Sequence, residues 1–177
     1  RWVPIGCNGS KVKLLLSDID MKIVILNGPN LNLLGKREPA IYGTRSMEQV
    51  LLDIQRAYPN VYFQYHQSNH EGDLIDWLQY YGGEREDVLE EEKYAAVKGI
   101  ILNAGGYTHT SVALRDAVVC SQVPVVEVHI SNIAEREEFR RVSLLTDVCQ
   151  HTIMGQGTDG YIHAVAWILR QINKANA

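Results

Sequence analysis

Short apolar-rich segments alternate with amphipathic helical patterns along this chain, and this alternation restricts its fold more than any other feature. Residues 23–26, 61–65, 97–102 and 125–129 have the length and composition of buried strands, and residues 148–154 predict a fifth strand. Strands that are apolar on both faces are typical of parallel sheets, because helices cover such sheets on both sides.

The segments between the strands carry helix signals. Residues 46–49 and 68–71 each have the Ser-x-x-Gln/Glu pattern of a capping box, which predicts that a helix begins there. Helices are also predicted at residues 111–120 and 161–172. Five strands alternating with helices in 177 residues predict an α/β fold of the flavodoxin-like kind, a doubly wound five-stranded parallel sheet with helices on both faces.

The length fits one domain, which we place at residues 21–177. Met21 stands directly before the first strand, so residues 1–20 are interpreted as an N-terminal extension or an upstream segment. A genuine extension that packs on a neighbouring subunit is the alternative. The acidic segment 84–92 is interpreted as a solvated continuation of the second helix and its loop, without a catalytic role.

Composition disfavours several classes of partner. A net charge of -4 argues against nucleic acid, since binding to phosphates needs a basic face. No apolar run approaches the roughly 20 residues of a membrane span. The three cysteines are widely spaced, which argues against a disulfide framework or a thiolate metal site and favours a reducing cytoplasm.

Polar residues follow the predicted strands at 27–30, 103–111, 129–132 and 155–157. The carboxyl ends of parallel strands lie at one edge of a sheet, and open α/β sheets bind ligands in the crevice at that edge. We therefore expect the four polar clusters to converge on one site.

Two pairs of side chains in these clusters suggest acid–base chemistry. Glu127 precedes His129 by two residues, so both side chains leave the same face of a strand, where the carboxylate would orient the imidazole and favour its protonated form. Arg37 lies close to Tyr42 in a loop rich in glycine and proline, and a nearby positive charge favours a phenolate. His109 lies in a hydroxyl-rich loop at the same crevice.

Arg136 and Arg140 are one helical turn apart. They either form a salt-bridged helix face with neighbouring glutamates or supply positive charge to an anionic substrate. Their position soon after His129 favours the second interpretation.

Other motifs are interpreted as structural. The glycines at 155, 157 and 160 match a dinucleotide fingerprint, but they follow the last strand and predict a tight turn into the final helix. His66 and His70 are four residues apart but do not share a helix, so we expect surface or capping roles rather than a metal site. The sequence therefore predicts chemistry without cofactor or metal, on a small carboxylate that carries hydroxyl groups.

The motifs in this chain resemble those of the type II 3-dehydroquinate dehydratases. The resemblance rests on Asn-Gly-Pro-Asn at 27–30 with its continuation to residue 43, and on segments 102–111, 115–116, 127–132 and 136–140. It extends over residues 21–167, with four long motifs in the same order. The acidic segment 84–92 is longer than in typical members, and residues 1–20 have no counterpart.

The resemblance implies a flavodoxin-like lyase that converts 3-dehydroquinate to 3-dehydroshikimate through an enolate, without a Schiff base. It implies that Tyr42 is the base, held as a phenolate by Arg37. Asn30 would stabilise the enolate. His129, supported by Glu127, would protonate the departing hydroxyl.

The resemblance also implies a substrate-binding set and an assembly. The substrate would contact Asn103, His109, Ile130, Ser131 and Arg140, with Arg136 near the active-site loop. Trimers would assemble into a dodecamer, in which Asp116 reaches the substrate site of a neighbouring subunit.

The alternative from another class is a non-enzymatic flavodoxin-like module that binds a ligand such as FMN or receives a phosphoryl group. A phosphoryl receiver needs clustered acids after the first strand, where this chain has Asn27 and Asn30. An FMN site needs a hydroxyl-rich phosphate loop there, and the sequence lacks one.

Overall fold

The computed structural model describes residues 21–36, 44–83 and 96–175 of the chain. Arg37, Tyr42, the acidic segment 84–92 and residues 1–20, all singled out in the sequence, lie outside the described residues. Within the described ranges, no helix has both the length and the apolar composition needed to cross a membrane.

Five strands and four α-helices make up the described part of the chain. The strands are β1 (Met21–Asn27), β2 (Tyr62–Gln67), β3 (Ala96–Asn103), β4 (Val125–His129) and β5 (His151–Met154). The helices are α1 (Met47–Ala57), α2 (Glu71–Gly82), α3 (Val112–Cys120) and α4 (Asp159–Ala175). Single 3-10 turns at Leu31–Leu33, Gly105–His109, Ile133–Glu135 and Glu138–Arg140 follow the strand ends.

The sheet is parallel throughout and has the strand order β2-β1-β3-β4-β5. This order confirms the predicted flavodoxin-like doubly wound fold. The chain moves outward from β1 to β2 and then crosses back to β3 on the other side of β1. The carboxyl ends of β1 and β3 are therefore neighbours at the switch point, where Asn27 pairs with Asn103.

Each face of the sheet has its own apolar core, because successive side chains of a strand point to opposite faces. In β1, Ile23 and Ile25 pack in the core that includes α1 and α4, whereas Val24 and Leu26 pack in the core that includes α2 and α3. All four side chains are fully buried. Burial on both faces explains why this strand is continuously apolar in the sequence.

The first predicted capping box is confirmed. Ser46 Oγ accepts from the Gln49 N–H, and the Gln49 side chain accepts from the Ser46 N–H at 3.0 Å, so α1 begins at Met47. Ser111 is the N-cap residue of α3, and its side chain accepts a one-sided bond from the Leu114 N–H at 2.8 Å.

The second predicted capping box is wrong. Helix α2 begins at Glu71, so its N-cap residue is His70, which makes no side-chain capping bond. Ser68 Oγ instead accepts from the His70 N–H and donates to Asp73 Oδ2, two residues beyond the predicted partner. The helix ends at Gly82, and the residue after it, Gly83, has a left-handed backbone at φ 93°.

His66 does not have the predicted surface or capping role. Its ring is half-buried, stacks on Trp77 at 4.7 Å between centroids and contacts the Tyr81 hydroxyl at 2.7 Å. The side chain therefore joins β2 to α2. The fifth strand is also shorter than predicted, since it begins at His151 rather than at residue 148.

Candidate active site

A cavity of about 510 Å³ lies at the carboxyl ends of β1, β3 and β4. Its polar wall is formed by side chains from the loops that follow these strands. These are Asn30, Asn103, His109, Thr110, His129, Ser131, Arg136 and Arg140. Its apolar wall consists of Pro29, Leu31, Leu33, Leu34, Ile130, Ile133 and Phe139. Three of the four polar clusters predicted to converge at this edge line the cavity, and the fourth, at 155–157, does not.

The fourth polar cluster supports the site from behind rather than lining it. Gly155 and Gly157 have positive φ angles of 74° and 58° and turn the chain into α4, as the sequence predicted. The Gly155 N–H donates to the His129 carbonyl at 3.2 Å, and the Gly157 N–H donates to the Ile130 carbonyl at 3.0 Å. These bonds fix the backbone that carries His129.

The loops after β1 and β3 touch each other directly. The Gly28 N–H donates to the Asn103 carbonyl at 2.8 Å. A Cβ atom at Gly28 would lie 2.4 Å from the Ala104 carbonyl oxygen, so only glycine fits this approach without displacement. Asn30 follows with φ 67°, a left-handed conformation that asparagine tolerates better than most residues.

Glu127 and His129 form the buried ionisable pair of the site. His129 Nε2 lies 2.7 Å from Glu127 Oε1, and the two side chains are 6% and 0% exposed. This confirms that the two side chains share one face of β4. Since His129 also lines the cavity, Nδ1 is the ring nitrogen available to a ligand.

The carboxylate of Glu127 stays ionised in spite of its burial. Burial alone would raise its pKa, but the hydrogen bond and charge of His129, with the hydroxyls of Ser143 and Thr146, lower the pKa of Glu127 to about 2. A carboxylate that accepts several hydrogen bonds is stabilised in its charged form.

A buried hydrogen-bond chain orients the Asn103 amide. Asn103 Nδ2 donates to the Tyr161 hydroxyl at 3.0 Å, and that hydroxyl donates to Asn27 Oδ1 at 2.8 Å. Asn103 Oδ1 accepts from the Gly105 N–H at 3.2 Å. These bonds fix the positions of the nitrogen and the oxygen of the Asn103 amide. The second hydrogen on Nδ2 is available to a ligand in the cavity. Burial raises the pKa of Tyr161, so its hydroxyl stays protonated.

His109 is held by a contact to the backbone of Val142. Its Nδ1 lies 2.7 Å from the carbonyl oxygen of Val142. A carbonyl only accepts hydrogen bonds, so Nδ1 carries the proton, and Nε2 is left for a ligand.

Arg136 and Arg140 do not lie on one helix, contrary to the helical spacing predicted from the sequence. Arg136 directly follows the turn Ile133–Glu135, whereas Arg140 is the last residue of the turn Glu138–Arg140. Arg136 donates to Ser131 Oγ at 3.3 Å and to Glu137 at 3.3 Å, while Arg140 lies 3.9 Å from Glu137. Both arginines reach the cavity, which makes this end of it suited to an anion.

Of the predicted site residues that the structure describes, Glu127 and Asp116 do not line the cavity. Glu127 lies behind His129, to which it is bonded, whereas Asp116 lies away from the cavity. It is exposed on α3 and is not among the lining residues. Arg37 and Tyr42 are outside the described residues, so their predicted placement stays a prediction.

Several polar residues around the site were not found from the sequence. Ser143, Thr146 and Thr152 contact Glu127, and Tyr161 contacts Asn103. Ser143 and Thr146 lie in an irregular segment with no periodicity to mark them, and Tyr161 matched the apolar face of a helix. The one available signal was Thr108, which stands beside His109 in the hydroxyl-rich loop.

Comparison with known proteins identifies the family. A family model described as Dehydroquinase class II matches residues 21–169. The chain belongs to the class II dehydroquinase family. The resemblance noted in the sequence is thereby confirmed.

Individual class II dehydroquinases are similar over most of their length. A 3-dehydroquinate dehydratase of Halothermothrix orenii is 43% identical over 157 residues, which cover 88% of this chain and 98% of that protein. A 3-dehydroquinate dehydratase of Fusobacterium nucleatum is 46% identical, with coverages of 87% and 100%. The crystal structure of a type II dehydroquinase from Butyrivibrio crossotus superposes with a TM-score of 0.73 at 42% identity, covering 84% of this chain and 97% of that one.

Proposed function

We propose that this chain removes water from 3-dehydroquinate to give 3-dehydroshikimate, a step of the shikimate pathway that supplies aromatic amino acids. It is a lyase of the class II dehydroquinase family, which forms no Schiff base. The observation that carries the proposal is the His129–Glu127 pair facing a cavity with two arginines, in a chain of this family.

The base in this proposal is Tyr42, by its match to the family motif. As a phenolate beside the Arg37 guanidinium, it takes a proton from C2 of the substrate, next to the C3 ketone. The electron pair of the broken C–H bond moves into the ketone and forms an enolate. Asn30 at the cavity wall supports this oxyanion with a hydrogen bond.

The acid is His129. The enolate collapses, a double bond forms between C1 and C2, and the C1–O bond breaks. The departing hydroxyl takes a proton from Nδ1 of His129 and leaves as water. Glu127, bonded to Nε2, stabilises the imidazolium before transfer and holds the ring in place.

The remaining polar residues of the cavity bind the substrate. The carboxylate and hydroxyl groups are contacted by Asn103, His109, Ser131, Arg140 and the backbone N–H of Ile130, with Arg136 reinforcing the positive end. The Arg136 bond to Ser131 supports this assignment, because it orients the serine oxygen within the cavity wall.

The assembly is part of the proposal. Trimers would pack into a dodecamer, and Asp116 would reach the substrate site of a neighbouring subunit. Val112, Asp116 and Val119 share one exposed face of α3, and the two valines are each 61% exposed, which supports a contact there. We further propose one domain at residues 21–177 with residues 1–20 as an extension, and a cytoplasmic location.

One assay tests the activity. The protein is mixed with 3-dehydroquinate, and the conjugated enone of the product is followed by its ultraviolet absorbance. Absence of turnover by folded protein would refute the proposed function. Borohydride added with substrate is expected to trap no covalent adduct, since no imine forms.

The base assignment has its own variant. Tyr42→Phe removes only the hydroxyl that takes the proton, so turnover is expected to fall by at least about 100-fold, the usual contribution of a general base. Tyr62→Phe, which removes an exposed hydroxyl on β2, is the control and should keep full activity. A Tyr42→Phe variant within a few fold of the parent enzyme would show that another group is the base.

A further inference from the structure

Four hydroxyl groups from three different segments surround the carboxylate of Glu127. Thr108, in the loop after β3, is 2.7 Å from Oε1, and Ser143, in the loop after β4, is 2.6 Å from the same oxygen. Thr146 is 2.6 Å from Oε2, and Thr152 on β5 is 3.2 Å from it. With His129, five donors converge on one fully buried carboxyl group.

The surroundings of Ser143 determine the direction of its hydrogen bond to Glu127. Its oxygen accepts from the backbone N–H groups of Leu145 at 3.0 Å and Thr146 at 3.2 Å. These two bonds occupy both lone pairs of the oxygen, so Ser143 accepts no further hydrogen. Its single hydrogen faces Glu127 Oε1 at 2.6 Å and Thr108 Oγ1 at 2.8 Å, and the shorter contact to the charged oxygen makes Ser143 a donor to the carboxyl group. An ionised carboxylate only accepts hydrogen bonds, whereas a protonated one must also donate.

This arrangement selects one location for the proton between Glu127 and His129. A proton on Glu127 Oε1 would displace the hydrogen that Ser143 directs at that oxygen, so the arrangement favours an ionised carboxylate with the proton on His129 Nε2. The neutral ring then has Nδ1 without a hydrogen, and the charged ring presents an Nδ1–H to the cavity. The hydroxyls thus decide which ring nitrogen exchanges a proton with a ligand.

We propose that Ser143 and Thr146 are positioning residues for His129, acting through Glu127 to keep the imidazole proton on Nε2 and the ring aimed at the cavity. This inference rests on the proposed role of His129 as the acid. It assigns a chemical purpose to a segment, residues 143–146, that does not line the cavity.

Ser143→Ala and Thr146→Val, singly and together, remove the donors with little change of shape. Each single variant is expected to lower kcat about tenfold, part of the usual contribution of a positioned acid, with KM unchanged within about twofold. Thr146→Ser keeps the hydroxyl and should restore kcat. Ser121→Ala is the matched control, because it removes a half-buried serine hydroxyl that donates to the Val123 carbonyl, far from Glu127.

The second measurement is solid-state ¹⁵N NMR of protein with labelled histidine, in which His129→Asn identifies the His129 signals among those of six histidines. The neutral ring should carry its proton on Nε2 in the parent protein and divide it between Nε2 and Nδ1 in the double variant. A parent protein with the proton on Nδ1 overturns the proposal, even where a variant fails to fold. Hydroxyl variants whose kcat and His129 tautomer are both unchanged would also overturn the proposal.

The same series separates this proposal from the proposed function. If His129→Asn retains turnover, the assignment of His129 as acid is wrong. If His129→Asn is inactive but the hydroxyl variants match Ser121→Ala in kcat and tautomer, only the positioning role fails.

Discussion

At the scale of single residues, the site depends on Glu127, a charged side chain that is buried away from water. Transferring an ionised carboxylate into a protein interior is costly unless hydrogen bonds and an opposite charge replace its hydration. Glu127 has both, since hydroxyls and His129 approach its two oxygens. The stability of the fold should therefore respond to the ionisation of this one group.

The first prediction concerns stability at acidic pH. Since the pKa of Glu127 falls from 4.5 in the unfolded chain to about 2 in the fold, its ionisation stabilises the fold above pH 4.5, and this contribution disappears as the pH falls towards 2. The loss amounts to about 3 kcal/mol by linkage. Denaturant unfolding of the parent protein and of Glu127→Gln across this range measures it. Parallel pH profiles for the two proteins would contradict the prediction.

A second prediction concerns Tyr161, which lies between two asparagine side chains. Tyr161→Phe leaves Asn27 Oδ1 without its buried donor, so the free energy of unfolding should fall by about 1–3 kcal/mol. It also removes the acceptor that orients the Asn103 amide, so KM should rise more than kcat falls.

The control for Tyr161 is Tyr62→Phe, which removes an exposed hydroxyl that donates to Gln64 within β2. Its unfolding free energy should change by less than about 0.5 kcal/mol. Equal losses in the two variants, or an unchanged KM for Tyr161→Phe, would show that the buried chain does not orient Asn103.

Sequence predicts some of these residue roles and not others. The Glu127–His129 pair follows from the two-residue period of a strand, which places both side chains on one face. The hydroxyls around Glu127 follow from no such period. Ser143 and Thr146 reach it because an irregular segment folds back over β4, and only tertiary structure determines that path.

At the scale of elements, local signals gave the helix starts only where no tertiary contact competed. The capping box at Ser46 forms because Ser46 and Gln49 bond each other reciprocally. At Ser68 the hydroxyl bonds to Asp73 instead, and the backbone N–H of Ser68 donates to Asn27 of β1. The strand connection places Ser68 before the helix, so α2 begins two residues later than the pattern predicts.

The third prediction concerns the contact between the ends of β1 and β3. Gly28→Ala places a Cβ atom 2.4 Å from the Ala104 carbonyl oxygen, so one of the two loops must move. The expected cost is about 1–3 kcal/mol of unfolding free energy, as in other overpacked sites. Turnover should fall as well, because both loops carry cavity residues.

The matched control is Gly72→Ala in α2, where an added Cβ atom meets nothing within 4 Å. Alanine is the better helix former, so this variant should be more stable by up to about 1 kcal/mol. Thermal unfolding and the enone assay measure both variants. A Gly28→Ala protein as stable and as active as the parent would show that the two loops separate without consequence.

At the scale of the whole molecule, the topology was predictable because strand burial and connection length together leave few arrangements. Apolar strands alternating with helices imply a parallel sheet, and the polar strand ends then meet at one edge. The two arginines illustrate what the pattern could not give. Arg136 and Arg140 have helical spacing in the sequence, but they lie in two separate turns because the chain after β4 bends around the cavity.

The last prediction concerns the assembly of several copies. Val119 is 61% exposed on α3, on the same helix face as Val112 and Asp116. If this face forms the proposed trimer contact, Val119→Asp buries an unpaired charge there and should dissociate the oligomer, with loss of turnover as the Asp116 contribution is removed. Asn173→Asp adds the same charge at an exposed position of α4 and should leave mass and activity unchanged. Light scattering gives the mass of each variant, and the enone assay gives its rate. A Val119→Asp protein with the parent's mass would place the subunit contact elsewhere, and an active monomer would show that Asp116 serves no neighbouring site.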